Sequence, residues 1–506
     1  MRNTAALLVG FFFLMGGALS SSAYKGEVTI AFSSEPPTMD PHITNNAIGN
    51  ITWRWSYDSL ISSETGTGKN LPWLAEKWEK LNHKAVKFYL RKGVKFSDGT
   101  PLTSEAFRLA MERVMKAPGQ KAIFKSFDKV EILDDHTFIY RMKTPDNGLF
   151  NRLTRWAHPI SPKSKGVEDA VISRNTFGTG PYILKSWSKG LRMVFEANPD
   201  WWANSRYPDR PKTVILLRIP ESTTRVNALV TGEVDMIWGV MPQFVQRIKD
   251  NPQVKFVALP SVRIMFVSFF TGHGGPFDNV KVRRAVNYAI DSEKIRKTIL
   301  GGDAQPIGQL LHPWNYVGYN PDKKWYGSDP EKAKTLLREA GYPNGFKAEL
   351  IAPSGRYPAD KATCEATAGM LKDVGIDTQC TAAPMPMYRK NFVAYRTGKK
   401  KGAAMYYMGF GNGQGDPITG LNGMVSCKGG WSGHCFEELD AAIDRAAAEP
   451  ELEKQQLLFE KVTDMTKELA THKIYFQIHD TFAFKKDLRF HPRHDENLYP
   501  WEIAVK

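Results

Sequence analysis

Four cysteines, Cys364, Cys380, Cys427 and Cys435, are the first residues in this chain whose type and spacing could do chemistry. An even count suits two disulfides in an oxidising compartment. Three pairings are possible, and the local ones, Cys364 with Cys380 and Cys427 with Cys435, are favoured. Each closes a short loop worth about 3 kcal/mol when unstrained. Zinc held by Cys427, His434 and Cys435 is the alternative, but no C-x-x-C pair supports it and no metal site is assigned. Enzyme signatures are missing: the chain has no H-E-x-x-H, no G-x-S-x-G and no P-loop. Carboxylates are abundant enough for a glycosidase pair, so an exported hydrolase stays as an alternative class, and a chaperone-like binding protein as another. No nucleophile or base is visibly positioned, so no catalytic residue and no cofactor are expected. The segment Met408 to Pro417 holds four glycines among Phe410, Asn412, Gln414 and Asp416. Glycines let backbone N–H groups approach a ligand closely. They do not form G-x-G-x-x-G, and no strand-loop-helix context supports a dinucleotide site.

The elements that must position such residues alternate between strand and helix. Strand patterns fall at Val28 to Ser33, Val86 to Leu90, Thr137 to Met142, Thr213 to Ile219, Ile376 to Thr381 and Lys473 to Ile478. An amphipathic helix follows Thr103 with Phe107, Ala110, Met111 and Val114 on one face and Ser104 as its expected cap. Further helices are expected at Ser222 to Thr231, Arg283 to Ile290, Pro330 to Ala340, Lys361 to Val374, Phe436 to Ala448 and Leu452 to Ala470. Gly341 and Gly375 act as helix stops. No repeat, low-complexity tract or polyproline linker interrupts the series, which indicates α/β domains with mixed sheets joined by several chain crossings.

Local motifs are more telling. Glu35-Pro-Pro-Thr-Met-Asp40-Pro41 is followed by Tyr57-Asp58-Ser59-Leu60 and Leu74-Ala75-Glu76-Lys77-Trp78. Then come Arg91-Lys-Gly93-Val-Lys-Phe96-Ser-Asp98-Gly99-Thr-Pro101, Gly178-Thr-Gly180-Pro181-Tyr182 and Asn198-Pro-Asp200-Trp201-Trp202. Gly232-Glu-Val-Asp235, Val282-Arg283-Arg284-Ala285 and Leu336-Leu337-Arg338-Glu339-Ala340-Gly341-Tyr342-Pro343 complete the set. In this order, over nearly all of the chain, they resemble the family 5 extracellular solute-binding proteins, whose members include dipeptide, oligopeptide and nickel-chelate receptors. Most of the motifs have a plain structural reading as well: Asp98-Gly99 is turn chemistry, and Gly178, Gly180 and Pro181 fix a tight backbone path.

The resemblance implies a three-domain periplasmic-binding-protein fold of the large peptide-receptor class (type II), with a hinged cleft. Domain I would hold residues 24–59, 178–268 and 482–506, domain II would be an insertion at 60–177, and domain III would span 269–481. Hinges would fall near Phe266 to Thr271 and near Asp480 to Phe484. It also implies that Phe410, Gly411, Asn412, Gly413, Gln414 and Asp416 form the cleft loop, with Phe410 where relatives carry a tryptophan. Where relatives place an aspartate for a peptide's amino group, this chain has Gly413; Asp416 or Asn412 would have to substitute. The other cleft-facing stretches would be Thr44, Asn45 and Asn46, and Arg155 and Trp156. Arg155 suits a carboxylate, Trp156 suits stacking, and His158 is a weaker metal-ligand candidate. The implied function is the substrate-binding subunit of an ABC importer, capturing a peptide or peptide-like solute and delivering it to an inner-membrane permease. A non-peptide ligand, such as an opine, an oligosaccharide or a metal chelate, is the alternative.

Compartment and charge agree with that role. Arg2, the apolar run Ala5 to Leu14 and the small residues ending at Ala23 have the order of a secretory signal peptide over residues 1–23. That run is too short to span a bilayer, so a periplasmic, monomeric protein is expected. The net charge of +15 reads as a basic solvated surface rather than a nucleic-acid site, because Lys399-Lys400-Lys401 is the only tight lysine run.

Overall fold

The computed structural model describes residues 26–44, 47–64 and 67–505; the expected signal segment lies outside them, as do Asn45 and Asn46. One mixed sheet of 11 strands organises the molecule. In its first half Glu27–Phe32 runs parallel to both Thr213–Arg218 and Met236–Trp238. Strands sandwiched in this way are buried on both faces, which explains their β-branched, apolar runs. Arg192–Ala197 and Tyr182–Ser188 continue this half antiparallel. In the second half Ala404–Gly411 pairs with Phe346–Pro353, which pairs in turn with Ile376–Ala383.

Two long strands, Val254–Phe269 and His472–Lys485, pair antiparallel with each other and belong to both halves. Their register breaks between Pro260 and Ile264. A break of this kind bends the ladder locally and raises its twist.

A separate four-stranded antiparallel sheet is built from Ala75–Asn82, Ala85–Leu90, Thr137–Met142 and Phe127–Asp134. The helix Ser104–Lys116 covers it, with Phe107 stacked on Phe138 at 4.8 Å and Phe138 on Phe88 at 5.4 Å. One continuous buried cluster joins this sheet to the first half, from Val28 and Phe195 through Trp55 and Tyr57 to Phe88 and Phe107. The second half buries separate clusters on the two faces of its sheet.

The expected helices are present within three residues at each end. Ser104 is not the cap of its helix. Thr103 holds the N-cap position without a side-chain hydrogen bond, and Ser104 is the first helical residue, fully buried. Gly180 approaches the main chain so closely that its N–H donates to the Ser56 carbonyl at 3.0 Å, and a Cβ there would lie 2.7 Å from Tyr57 N. The tight path read from Gly178-Thr-Gly180 is therefore a contact between backbones. Both favoured disulfides are present, Cys364–Cys380 and Cys427–Cys435, with Cα atoms 5.8 and 4.3 Å apart. Among the described residues no helix is long and apolar enough to cross a membrane.

Candidate functional site

The glycine-rich segment leaves the sheet at the end of Ala404–Gly411, where Gly411 pairs with Arg263 and Phe410 with Ile264. It then turns into the helix Pro417–Met424, whose N-cap is Asp416. Two segments from the other side of the crossing strands close against it. One is the helix Leu149–Leu153 with the residues that follow, and the other is the tail from Arg493 to Glu496.

Each contact is specific. The Arg152 guanidinium donates to Asp416 Oδ2 at 2.5 Å and also to Asp146, with all three side chains buried. Asp416 further accepts from Ile418 N and from the Thr419 hydroxyl. Its carboxylate is thus fully occupied within the protein, and it does not stand free to receive an amine. Asn151 Nδ2 donates to the Gln414 carbonyl at 2.9 Å, and Arg155 Nη1 to the Asp495 carbonyl at 2.8 Å. Asn412 is braced by its own Nδ2 donating to Asp416 O and by His312 Nε2 meeting its carbonyl at 3.0 Å. Its Oδ1 is a buried acceptor without a partner.

Gly413 lies against Arg155. A Cβ there would run into the guanidinium and stand 2.5 Å from the Asp495 carbonyl. Only glycine fits this closed contact. Gly413→Asp is therefore expected to hold the two halves apart. Small-angle scattering should report a larger radius of gyration than for the parent protein under the same conditions; an unchanged radius would mean that the loop relaxes around the new side chain.

Phe410 packs on the Pro417–Met424 helix, with its ring close to Gly423. Trp156, read as a stacking platform, is 5% exposed and sits in the hydrophobic cluster of the first half. His158 is likewise buried, and burial with the nearby Arg54 pushes its pKa down to about 3. Thr44 gives its carbonyl to Gln120 Nε2. Among the described residues no group of three or more His, Cys, Asp or Glu side chains is arranged to hold a metal.

Between these segments is a small cavity of about 30 Å³, lined by Ser63, Asn70, Asn151, Trp314, Gln414 and His494 among others. Trp314 and His494 stack at 4.4 Å and form a flat wall. The charge around it is uneven. Arg493 pairs with Asp495, whose carboxyl burial would raise but Arg493 and Asn497 hold well below the usual range. Arg263 pairs with Glu496 through both arms, at 2.9 and 2.8 Å. Arg54 and Arg155 are different. Both are 5% exposed, and their hydrogen bonds go to the Tyr499 hydroxyl and to the Thr154 and Asp495 carbonyls rather than to a carboxylate. Burial first, and Arg54 second, push Arg155 down to about 10. Asp495 and Glu496 act on Arg155 from nearby and offset part of its charge, but among the described residues neither guanidinium makes a direct salt bridge, and such a pair suits an anionic group of a ligand.

The sequence-derived candidates omitted Arg54, Arg152, Arg263, Asp495 and Glu496. One signal was available: Arg152 and Arg155 stand three apart, and so face the same way on a helix. The tail residues carried none, because only the fold brings residues 493–496 to the loop.

Two halves on one continuous sheet, with charged groups from both meeting at a polar cavity, define a solute-binding protein. The family model for bacterial extracellular solute-binding proteins, family 5, matches residues 70–432, and the chain belongs to that family. It is 28% identical over 423 residues to the glutathione-binding protein GsiB of Shigella flexneri serotype 5b, covering 81% of this chain and 80% of that one. A dipeptide-binding protein of Pseudoalteromonas in complex with Met-Leu superposes with a TM-score of 0.84 at 20% identity, over 95% of this chain and 100% of that one. AgaA of Agrobacterium tumefaciens in complex with agropinic acid gives 0.80 at 24% identity, over 95% and 99%.

Proposed function

We propose that this protein is the exported substrate-binding subunit of an ABC importer, acting in the periplasm as a monomer. It captures a peptide or peptide-like solute bearing at least one carboxylate and delivers it to the inner-membrane permease without chemical change. The observation that carries this reading is the set of contacts that joins the glycine-rich loop to Arg152 and Asn151 by hydrogen bonds and sets Gly413 against Arg155. These groups come from opposite sides of the crossing strands, so bending those strands opens the site and straightening them closes it. The register breaks between Pro260 and Ile264 and between Met265 and Phe266, next to the hinge expected at Phe266 to Thr271, support a bend there. Arg155, backed by Arg54, takes the ligand carboxylate, and the Trp314–His494 wall takes an apolar or planar portion. Micromolar affinity requires only about 8 kcal/mol, within reach of one charged pair and one buried face.

The relation to a glutathione-binding protein makes glutathione the first ligand to test, with Met-Leu second. Calorimetric titration is expected to show micromolar or tighter binding of at least one of the two, with a reduced radius of gyration in the complex. Arg155→Met should weaken that binding about tenfold to a hundredfold. Binding of neither peptide would remove the peptide reading. The second reading is then a non-peptide acid of the agropinic acid kind, favoured by the absence of a carboxylate at Gly413.

A further inference from the structure

The lysine run Lys399-Lys400-Lys401, which by sequence reads as solvated surface, is not isolated in the fold. It follows the helix Met385–Arg396, which adds Arg389, Lys390 and Arg396, and the whole stretch between Asp377 and Asp416 contains no Asp or Glu. Tyr388, Phe392 and Tyr395 anchor the helix, because their spacing puts them on one buried face. The opposite face leaves Pro386, Met387, Lys390 and Val393 in the open, with Met387 50% and Val393 40% exposed. Arg389 and Arg396 lie half-buried along its border. The Lys400 N–H donates back to the Ala394 carbonyl at 2.9 Å and so folds the lysine run onto the end of the helix.

Among the described residues, Lys400 is the one of these six cations in an ion pair, with Glu349, which also accepts from the Tyr395 hydroxyl. Arg389 donates to the Gly430 carbonyl at 2.8 Å and stands over the Trp431 ring at 4.0 Å. It thereby joins the loop closed by Cys427–Cys435, with its exposed Lys428, to the same surface. A helix C-terminus attracts cations, which accounts for Arg396 and the lysines after it. It does not account for Arg389 and Lys390 in mid-helix, nor for apolar side chains left in water beside them. Leu457, 67% exposed, makes the contrast: it has Glu453 and Glu460 as well as Lys454 and Lys461 within a helical turn. Around Met387 and Val393 the helix supplies charge of one sign.

We propose that this face, with Met387, Lys390, Val393 and the lysine run at its centre, rests on the anionic phospholipid surface of a membrane. The cations lie against phosphate headgroups, and Met387 and Val393 press between them. Apolar side chains set among cations are what such a surface attracts. A convex helix with long, unpaired basic side chains suits a flat and laterally mobile array of phosphates better than the fixed carboxylates of a folded acidic protein. The helix follows Ile376–Ala383, the outermost strand of its half of the sheet. The contact therefore lies away from the crossing strands and leaves closure free. The inference goes beyond the receptor role, since it places the protein on the bilayer whatever solute it carries.

The test is co-sedimentation with vesicles of phosphatidylcholine alone and of phosphatidylcholine and phosphatidylglycerol in equal parts, at low and at high salt. It uses the chain without residues 1–23, whose apolar run would bind lipid by itself. The parent protein is expected to bind the anionic vesicles at least about tenfold more tightly than the neutral ones, and to lose most of that preference at high salt. Changing Lys390→Gln, Lys399→Gln and Lys401→Gln together should weaken anionic binding about a hundredfold, at about fivefold for each cation. All three side chains are exposed, so circular dichroism should not change. The matching change at Lys189, Lys454 and Lys461, exposed elsewhere, should leave binding within about threefold of the parent. Lys390→Glu alone should cost more than about tenfold, and serves if the triple change disturbs the fold. Equal binding to both kinds of vesicle, or to neither, overturns the proposal. So does a triple variant that keeps the parent's affinity, or a control variant that loses as much. Polyglutamate held by the same three lysines while anionic vesicles are not would assign the face to an acidic protein and overturn the membrane contact.

Discussion

Replacing Arg152 by methionine is expected to cost the protein about 3–5 kcal/mol of stability, the usual penalty for leaving a buried charge without its partner. Arg152 is flanked by Asp146 and Asp416, and all three side chains are 5% exposed or less. Methionine fills much of the volume but leaves two carboxylates buried together with nothing to neutralise them. Asp416 also caps the helix Pro417–Met424 and anchors the glycine-rich loop, so the damage reaches the site. Urea denaturation followed by circular dichroism should show a lower midpoint with an unchanged slope. Adding Asp146→Asn and Asp416→Asn to the Arg152→Met chain should recover part of the loss, because the three groups act as one network. A loss below about 1 kcal/mol would mean that water reaches the pair and that it contributes as an exposed bridge does.

Acid should unfold the protein between about pH 6.5 and 4 for a related reason. Burial, the leading cause in each case, pushes His42 and His312 down to about 4 and His158 and His434 down to about 3; His472 also falls well below its usual value. Arg54 adds to the shift at His158 and Arg113 at His42, where Asp40 pulls the other way. The folded protein keeps these rings neutral while the unfolded chain takes up protons near 6.5. Stability is therefore full above about pH 6.5 and drains away as the pH falls toward the depressed values. Each pH unit of difference is worth about 1.4 kcal/mol per ring, so several rings together can exceed the whole stability of a typical domain. Asp58 opposes them. Burial pushes it up to about 6 despite the indoles of Trp73, Trp201 and Trp202 and the Thr179 hydroxyl, so it gains stability as the pH falls. Asp480 and Glu502 are pushed up in the same way, burial first in both, so three carboxyls offset part of what five rings lose. The thermal midpoint should drop steeply below about pH 6; a midpoint flat from pH 7 to 4.5 would show that the rings are hydrated or already charged.

How far the sequence revealed these features depends on the range of the interaction. Helices with strong apolar spacing, such as Pro330–Glu339 and Glu437–Ala448, were legible because their signal is local, as were the disulfides with their short loops. The strand Ala75–Asn82 was not read, since its exposed Glu76, Lys77, Glu79 and Lys80 conceal the pattern and pairing with Ala85–Leu90 alone holds it extended. Lys473 to Ile478 was read as a short strand because His479, Asp480 and Thr481 interrupt the apolar run. In the fold it continues to Lys485, pairing on both sides. The glycine-rich loop was found, but the meaning of its members came from residues distant in sequence. Gly413 is explained by Arg155, and the carboxylate of Asp416 by Arg152. Arg493, His494 and Asp495 belong to no local pattern, and only the returning tail brings them to the cavity.

The position of His472–Lys485 sets the order in which the molecule can be assembled. This strand is made almost last, yet it lies at the middle of the 11-stranded sheet, between Val254–Phe269 and Met236–Trp238. A chain appearing from its N-terminus must hold both of those earlier strands with open edges until residue 485 arrives. Exposed edges of that kind invite pairing with other chains, and contacts between residues so far apart in sequence form slowly. Neither half can finish folding before the other has been made, so a chain stopped ahead of residue 472 would leave two unfinished sheets rather than one smaller protein.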